Sequence, residues 1–231
     1  MKKLVAVLAA AVLAGGSIFA GDFYNGDVQL QFGVGIDSIT VQDADQKIGA
    51  TLFDMGIESW HLFRPIELIG VGFSVGGNFG VGPTDKWNYR LLGTTVQGSQ
   101  NGVSLNCNFD IGPAVAIYLG KVVRFGLNFG FNAGLSFDQP FVYEYKSRYS
   151  SGTGSVSVFG TFSGIDLGLQ AKFLPDSVVN PVVGWRFVSG SANSYTYEVS
   201  SFGSGSSSAG TVNRKYEFIQ NVLYAALSFS W

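Results

Sequence analysis

The chain has 231 residues, 46% hydrophobic, 15% aromatic and only 13% charged, with a formal net charge of −2. Ordinary soluble proteins carry about 25% charged residues, so this composition is too poor in charge to solvate a globular surface of this size. The weak acidity gives no support to nucleic-acid binding, and a single cysteine, Cys107, excludes an internal disulfide.

Met1, Lys2 and Lys3 form a short basic start, and residues 4–14 are an uninterrupted apolar run. Gly15, Gly16 and Ser17 follow, and Ala20 offers a small residue for cleavage before Gly21. This is the layout of a secretory signal peptide. Residues 1–20 are expected to be removed, leaving 21–231 as one domain. The alternative is a transmembrane anchor, but the apolar core is too short to cross about 30 Å of hydrocarbon. Ile18 is bulky for a position just upstream of the cut, so cleavage a few residues earlier stays open. Loss of Lys2 and Lys3 takes the formal charge from −2 to −4.

Beyond the leader there is no long apolar helix candidate, and the residues alternate with period two. The first run sets Val28, Leu30, Phe32, Val34 and Ile36 against Gln29, Gln31, Gly33 and Gly35. The second sets Phe53, Met55 and Ile57 against Asp54, Gly56 and Glu58, then continues toward Trp60 and Phe63. The apolar parity shifts there, which predicts a bulge. Arg64 and Pro65 start a short turn, and the third run carries Ile69, Val71, Phe73 and Val75. A polar stretch over residues 82–102, with Trp87 and Tyr89, precedes a fourth run over residues 103–119, where Pro113 predicts an irregularity.

Gly120 and Lys121 turn the chain into the cleanest run, in which Phe125, Leu127, Phe129, Phe131, Leu135 and Phe137 alternate with glycine, asparagine and serine. A tyrosine-rich loop is expected over residues 138–155. The sixth run ends in Ile165, Leu167, Leu169, Ala171 and Phe173, opposite Asp166, Gly168, Gln170 and Lys172. After a turn at Pro175 and Asp176, the seventh carries Val183, Trp185 and Phe187, opposite Gly184 and Arg186. Residues 189–210 are rich in serine and glycine and read as a low-complexity loop. The eighth run leads from Thr211 to the end, with Leu223, Ala225, Leu227, Phe229 and Trp231 on one face.

That makes about eight strands, joined by alternating long and short connections, the pattern of an all-β, antiparallel, up-and-down transmembrane barrel. Long loops would face outside, and short turns and both chain ends the periplasm. Several runs exceed the roughly 9–11 residues needed to cross a bilayer, so the wall is expected to rise above it. The faces separate this fold from a soluble sandwich or a lipocalin-like barrel, which would hold the apolar face inward and a charged face outward. Here the polar face is mostly glycine, asparagine, glutamine and serine, suited to a narrow interior. The apolar face is aromatic-rich and nearly uncharged, suited to lipid. Cys107 lies in the apolar series and reads as a small lipid-facing hydrophobe, with no second thiol nearby to make it a metal ligand.

The signal peptide, the strand count and the Leu227, Phe229, Trp231 terminus resemble the small bacterial outer-membrane barrels of the OmpA, OmpX and OmpW type. The resemblance implies insertion into outer-membrane lipid as a monomer. It also implies recognition of the last strand, through Leu223, Leu227, Phe229 and Trp231, by barrel-assembly machinery. That class includes structural anchors, adhesins and channels for small or hydrophobic molecules, so fold alone selects no activity.

The parity places Asp54, Glu58, Asp110, Asp166, Lys172 and Arg186 inside. Unpaired charge is costly in a narrow lumen, so these residues should pair into a network that plugs it. The alternative is a small cation-preferring pore, since four acids outnumber two bases. In the loops, Phe141, Tyr143, Tyr145, Tyr149, Tyr195 and Tyr197 are candidate contacts for an extracellular ligand; an aromatic girdle with strands extended above the membrane is the structural alternative. His61, the one histidine, falls near the periplasmic end and reads as interfacial. No catalytic triad, phosphate loop, metal-ligand spacing or cofactor motif is present. The expected function is a membrane-embedded, non-enzymatic scaffold presenting extracellular loops. A small porin or hydrophobic conduit and a surface adhesin are the alternatives.

Overall fold

The structure, a computed structural model, describes residues 24–41, 46–84, 88–91, 94–97, 102–146, 151–192, 194–202, 207–212 and 216–231. The leader, Trp87 and Tyr149 lie outside them. The described residues form strands β1 (Tyr24–Val41), β2 (Gln46–Ile66), β3 (Ile69–Pro83), β4 (Asn88–Leu91), β5 (Thr94–Gln97), β6 (Val103–Leu119), β7 (Val123–Lys146), β8 (Ser151–Phe173), β9 (Val179–Ala192), β10 (Tyr195–Phe202), β11 (Ser207–Val212) and β12 (Tyr216–Ser230). Eight of these, β1, β2, β3, β6, β7, β8, β9 and β12, pair antiparallel in that order, and β12 pairs back onto β1 to close a barrel.

Directly opposed residues can be followed around the wall from Gln29 through Glu58, Gly76, Asp110, Asn132, Gly164, Gly190 and Phe218. The path returns to β1 at Ile39 rather than Gln29, a stagger of ten residues. Eight strands with this stagger tilt by roughly 40° and leave an interior just wide enough for side chains to fill. Period-two alternation then sorts the residues. Outside stand Phe32, Phe53, Phe131 and Leu223, the last 69% exposed; inside, Gln29, Asn132, Asp166 and Gln220 are fully buried. An apolar wall around a polar filling is the inverse of a soluble core. It is stable only where the wall meets lipid.

Two local expectations change. The β2–β3 register runs unbroken from Phe53 to Phe63 and shifts only between Phe63 and Ile66. The apolar parity changes earlier for another reason: the lumen is itself apolar at this level, where Trp60 and Leu62 are buried with Ala114, Ala116 and Tyr118. Pro113 stands opposite Phe73 and causes no register shift on either side.

The stretches read as loops are also largely strand. β7 and β8 run for 24 and 23 residues, about twice what a membrane crossing needs. Their outer halves continue as a sheet with β10 and β11, in the order β7, β8, β10, β11. Serine, threonine, valine and tyrosine pair well once a neighbouring strand supplies partners, which the low-complexity composition concealed.

Candidate functional site

The lumen holds three groups of side chains, stacked along the barrel. Nearest the short turns, Asp27 of β1 is fully buried and takes both Arg124 of β7, at 2.5 Å, and Lys172 of β8, at 3.0 Å. Gln29 donates to its other oxygen at 3.1 Å. Lys172 also donates to Ser230 at 2.6 Å, and Ser230 donates to Asn180 at 2.9 Å. The group therefore ties β1, the middle strands and the last strand together across the lumen. Arg124 lies 5.3 Å over the Trp60 ring, so part of its charge faces an aromatic surface.

One level further out, Arg186 of β9 reaches Asp54 at 3.4 Å, Asp110 at 3.7 Å and Asp166 at 4.0 Å. Its planar fork suits several carboxylates at once. Amides cover only part of the remaining acceptors, and Asp110 Oδ1 and Asp166 Oδ2 receive no hydrogen bond. Asn78 donates to Asp54 at 2.6 Å, and Asn128 donates to Asp166 at 3.2 Å. Glu58 takes only amide donors, Gln31 at 2.5 Å and Asn128 at 3.4 Å. Among the described residues no cation lies within ion-pair distance of it.

Toward the long loops the filling becomes mixed: Ile39, Leu52, Val188, Phe162 and Phe218 are buried, and so is Asp37, to which Asn106 donates. Phe162 and Phe218 stack with ring centroids 4.1 Å apart and planes inclined by 13°. Gly134 and Gly190 make room for Phe162: a Cβ on either would come within 2.7 Å of its ring.

Of the six inward charges read from the sequence, the structure brings Asp54, Glu58, Asp110, Asp166 and Arg186 together and gives Lys172 to the other group. Asp27 and Arg124 escaped notice because each stands just before the first apolar residue of its run. Their signal was parity: Asp27 shares that of Gln29, and Arg124 that of Gly126 and Asn128.

The end of the chain forms a fourth site, on the outer wall. The backbones of Trp231 and Gly26 exchange hydrogen bonds of 3.1 and 3.4 Å. A Cβ at Gly26 would lie 2.6 Å from the Trp231 indole nitrogen, so only glycine fits beside the ring. Leu223, Leu227 and Phe229 line the same outer face. His61 stacks on Phe73 at 4.7 Å with the indole edge at 6.5 Å. Its ring nitrogens bond the Tyr24 hydroxyl and, at 2.9 Å, Ser59. Ser59 donates to the Asp27 carbonyl at 3.2 Å. Each side-chain polar atom in this Tyr24–His61–Ser59 relay has a partner, which lets it stay buried beside lipid.

Cys107 is exposed on the outer wall. Phe141, Tyr143 and Tyr145 lie on the outer half of β7, and Tyr195 and Tyr197 on β10. At the short-turn end, Arg64, Glu67, Lys121 and Asp176 line a cavity whose two acids and two bases balance.

No protein-family model and no curated protein sequence matches the chain. Solved structures do. A major outer membrane protein from Thermus thermophilus is similar with a TM-score of 0.55 at 12% identity, over 89% of this chain and 99% of that one. The outer membrane protease OmpT from Escherichia coli gives 0.46 at 11%, over 92% and 98%. Ail, the attachment invasion locus protein of Yersinia pestis, gives 0.37 at 10%, over 88% and 99%. The first match, the closed eight-stranded wall and the apolar belt define the class: a small transmembrane β-barrel of the bacterial outer membrane. In this class short turns face the periplasm and long connections face outward.

Proposed function

We propose that the protein is a non-enzymatic, monomeric scaffold of the outer membrane, with a closed lumen that holds a sheet above the surface. Residues 1–20 serve as its export signal, and Leu223, Leu227, Phe229 and Trp231 as the feature that assembly machinery reads. The observation that carries the reading is the filling. Fully buried Arg124, Lys172 and Asp27 span the periplasmic end, and stacked Phe162 and Phe218 cross the outer end. Ions crossing such a lumen would have to break buried ion pairs and then pass an apolar constriction.

The excess of acids around Arg186 favours a second reading, a narrow cation-preferring pore. Planar-bilayer recording of the purified barrel separates the two. The scaffold reading expects silence over many insertions, and silence still when Phe162 and Phe218 are both replaced by alanine, because the Asp27 ion pairs remain. Discrete cation-selective steps from the unaltered protein establish the pore instead.

A further inference from the structure

The short turns display more apolar surface than a water-facing rim needs. Ile66 and Leu68 stand at the β2–β3 turn, Val122 at the β6–β7 turn, and Leu174 and Val178 at the β8–β9 turn. Val122 is 67% exposed and Val178 72%, and the other three are at least half exposed. A single exposed aliphatic residue calls for no explanation, but a set of them along one end of a molecule marks a contact surface.

One turn holds its apolar residue under strain. Leu174 has a φ of 52°, in the left-handed region that a bulky side chain rarely occupies. The β6–β7 turn meets a similar demand with Gly120, at a φ of 60°. Packing inside the barrel does not account for the leucine, because half of its surface is uncovered. The turns are also fixed in place. The Tyr118 N–H donates to the Leu68 carbonyl at 2.8 Å, the Leu174 N–H to the Val122 carbonyl at 2.8 Å and the Ser230 N–H to the Val178 carbonyl at 2.9 Å. Each bond pins the backbone of an exposed aliphatic residue to a neighbouring strand or turn.

The wall beside the turns sets no boundary. The last outward side chains at this end include Phe63, Ile69, Leu119, Phe173, Val179 and Trp231, all exposed. Among the described residues no band of outward charge separates them from the turns. The charges stand at the turns themselves: Arg64, Glu67, Lys121 and Asp176. The Arg64 guanidinium lies 4.0 Å over the Tyr118 ring, and its Nη2 donates to the Glu67 carbonyl at 2.7 Å.

We infer that the short-turn rim is seated in the phospholipid headgroup layer of the periplasmic leaflet. Its aliphatic side chains meet the acyl boundary, and its charges lie among phosphates and amines. Two observations select lipid over a soluble partner. The apolar turn surface is continuous with the lipid-facing wall, so the same solvent covers both. The two bases and two acids match a zwitterionic headgroup, whereas a strongly charged protein would meet no surface of a single opposite sign. Apolar side chains flanked by arginine, lysine and an aromatic residue are the usual anchors at this depth. The barrel then projects only at its outer end. This inference rests on the membrane-barrel class and not on whether the lumen conducts.

The test uses the full-length barrel in vesicles of dioleoylphosphatidylcholine, with single nitroxide labels read by power-saturation electron paramagnetic resonance. Val122→Cys and Val178→Cys, each combined with Cys107→Ser, carry the label at the rim. A label on Cys107 itself, exposed on the outer wall, gives the lipid reference. Thr196→Cys with Cys107→Ser, at an exposed position of the outer sheet, gives the aqueous one. The rim labels should collide with water-soluble nickel ethylenediaminediacetate at least about threefold less than the label at 196, and with oxygen more. Heat-modifiable gel mobility confirms that every labelled variant keeps a folded barrel. Nickel collision equal to that at position 196 means that the rim stands in water, free for a soluble partner, and overturns the inference. Low collision with both reagents means that protein covers the rim, and overturns it as well. Bilayer recording on the unlabelled barrel tests the scaffold reading separately, so a silent barrel with water-exposed rim labels refutes this inference alone.

Discussion

The two charged groups in the lumen use the same residue types in opposite proportions. Around Asp27, one carboxylate serves two cations; around Arg186, one guanidinium serves four nearby carboxylates, three of them within ion-pair distance. Counted by formal charge, the first group holds an excess of one positive and the second of three negative. A barrel interior can tolerate either sign if hydrogen bonds cover the surplus. The Asp27 group spans strands from both ends of the chain and acts as a clasp. The Arg186 group is held by a single cation, with asparagine and glutamine bonding part of the remainder.

The difference is broken most severely at the hub. Arg186→Met should destabilise the barrel by about 3–5 kcal/mol, because it leaves buried carboxylates with no cation. Equilibrium urea unfolding in lipid vesicles measures this. Arg186→Lys keeps the charge without the fork and should recover part of the loss. A Met variant as stable as the parent would mean that the amides alone carry the group. Asp27→Asn should come next, at about 2–4 kcal/mol, since it strands Arg124 and Lys172 together. Adding Lys172→Met to Asp27→Asn should restore part of that stability, a coupling that a double-mutant cycle reads directly.

The sequence carried the fold further than it carried these partnerships. Period-two alternation, the glycine and asparagine of the inner face and the turn residues at Pro65, Gly120 and Pro175 suffice for a closed antiparallel barrel. Which side of the wall a residue takes depends only on its own run. Which partner it meets depends on the stagger around the barrel, a property of all eight strands together. Arg124 and Asp27 are 97 residues apart, and Lys172 and Asp27 are 145 apart. The register of the outer strands was hidden for a similar reason. Phe141, Tyr143 and Tyr145 join the parity of Tyr195 and Tyr197 only through a register shift after Asp138. At Trp60 the alternation misled because the lumen, like the lipid, is apolar there.

The clasp has an outer counterpart in the contact between Gly26 and Trp231, one residue from Asp27 and one from Ser230. Gly26→Ala pushes a methyl group into the indole, and overpacking of this kind costs about 1–3 kcal/mol. The same unfolding measurement should show it, with Trp231→Phe relieving part of the effect in the double variant. Full independence of the two changes would mean that the indole does not need the space glycine leaves.

The smallest expected effect is the most telling for the two groups. Glu58→Gln removes one negative charge, as Asp27→Asn does, and nearly the same shape. Glu58 lies in the group that already holds too many carboxylates, its two oxygens receive only amide protons, and no described cation lies within ion-pair distance. The substitution strands no cation, and one glutamine oxygen still accepts a hydrogen bond. Its amide can turn toward Asp110, since both side chains border Gly76. The expected change is at most about 1 kcal/mol and in the stabilising direction, against the loss at Asp27. Destabilisation by more than about 2 kcal/mol would show that Glu58 is ionised and needed as a counter-charge to Arg186. The lumen would then be one connected network rather than two groups of opposite excess.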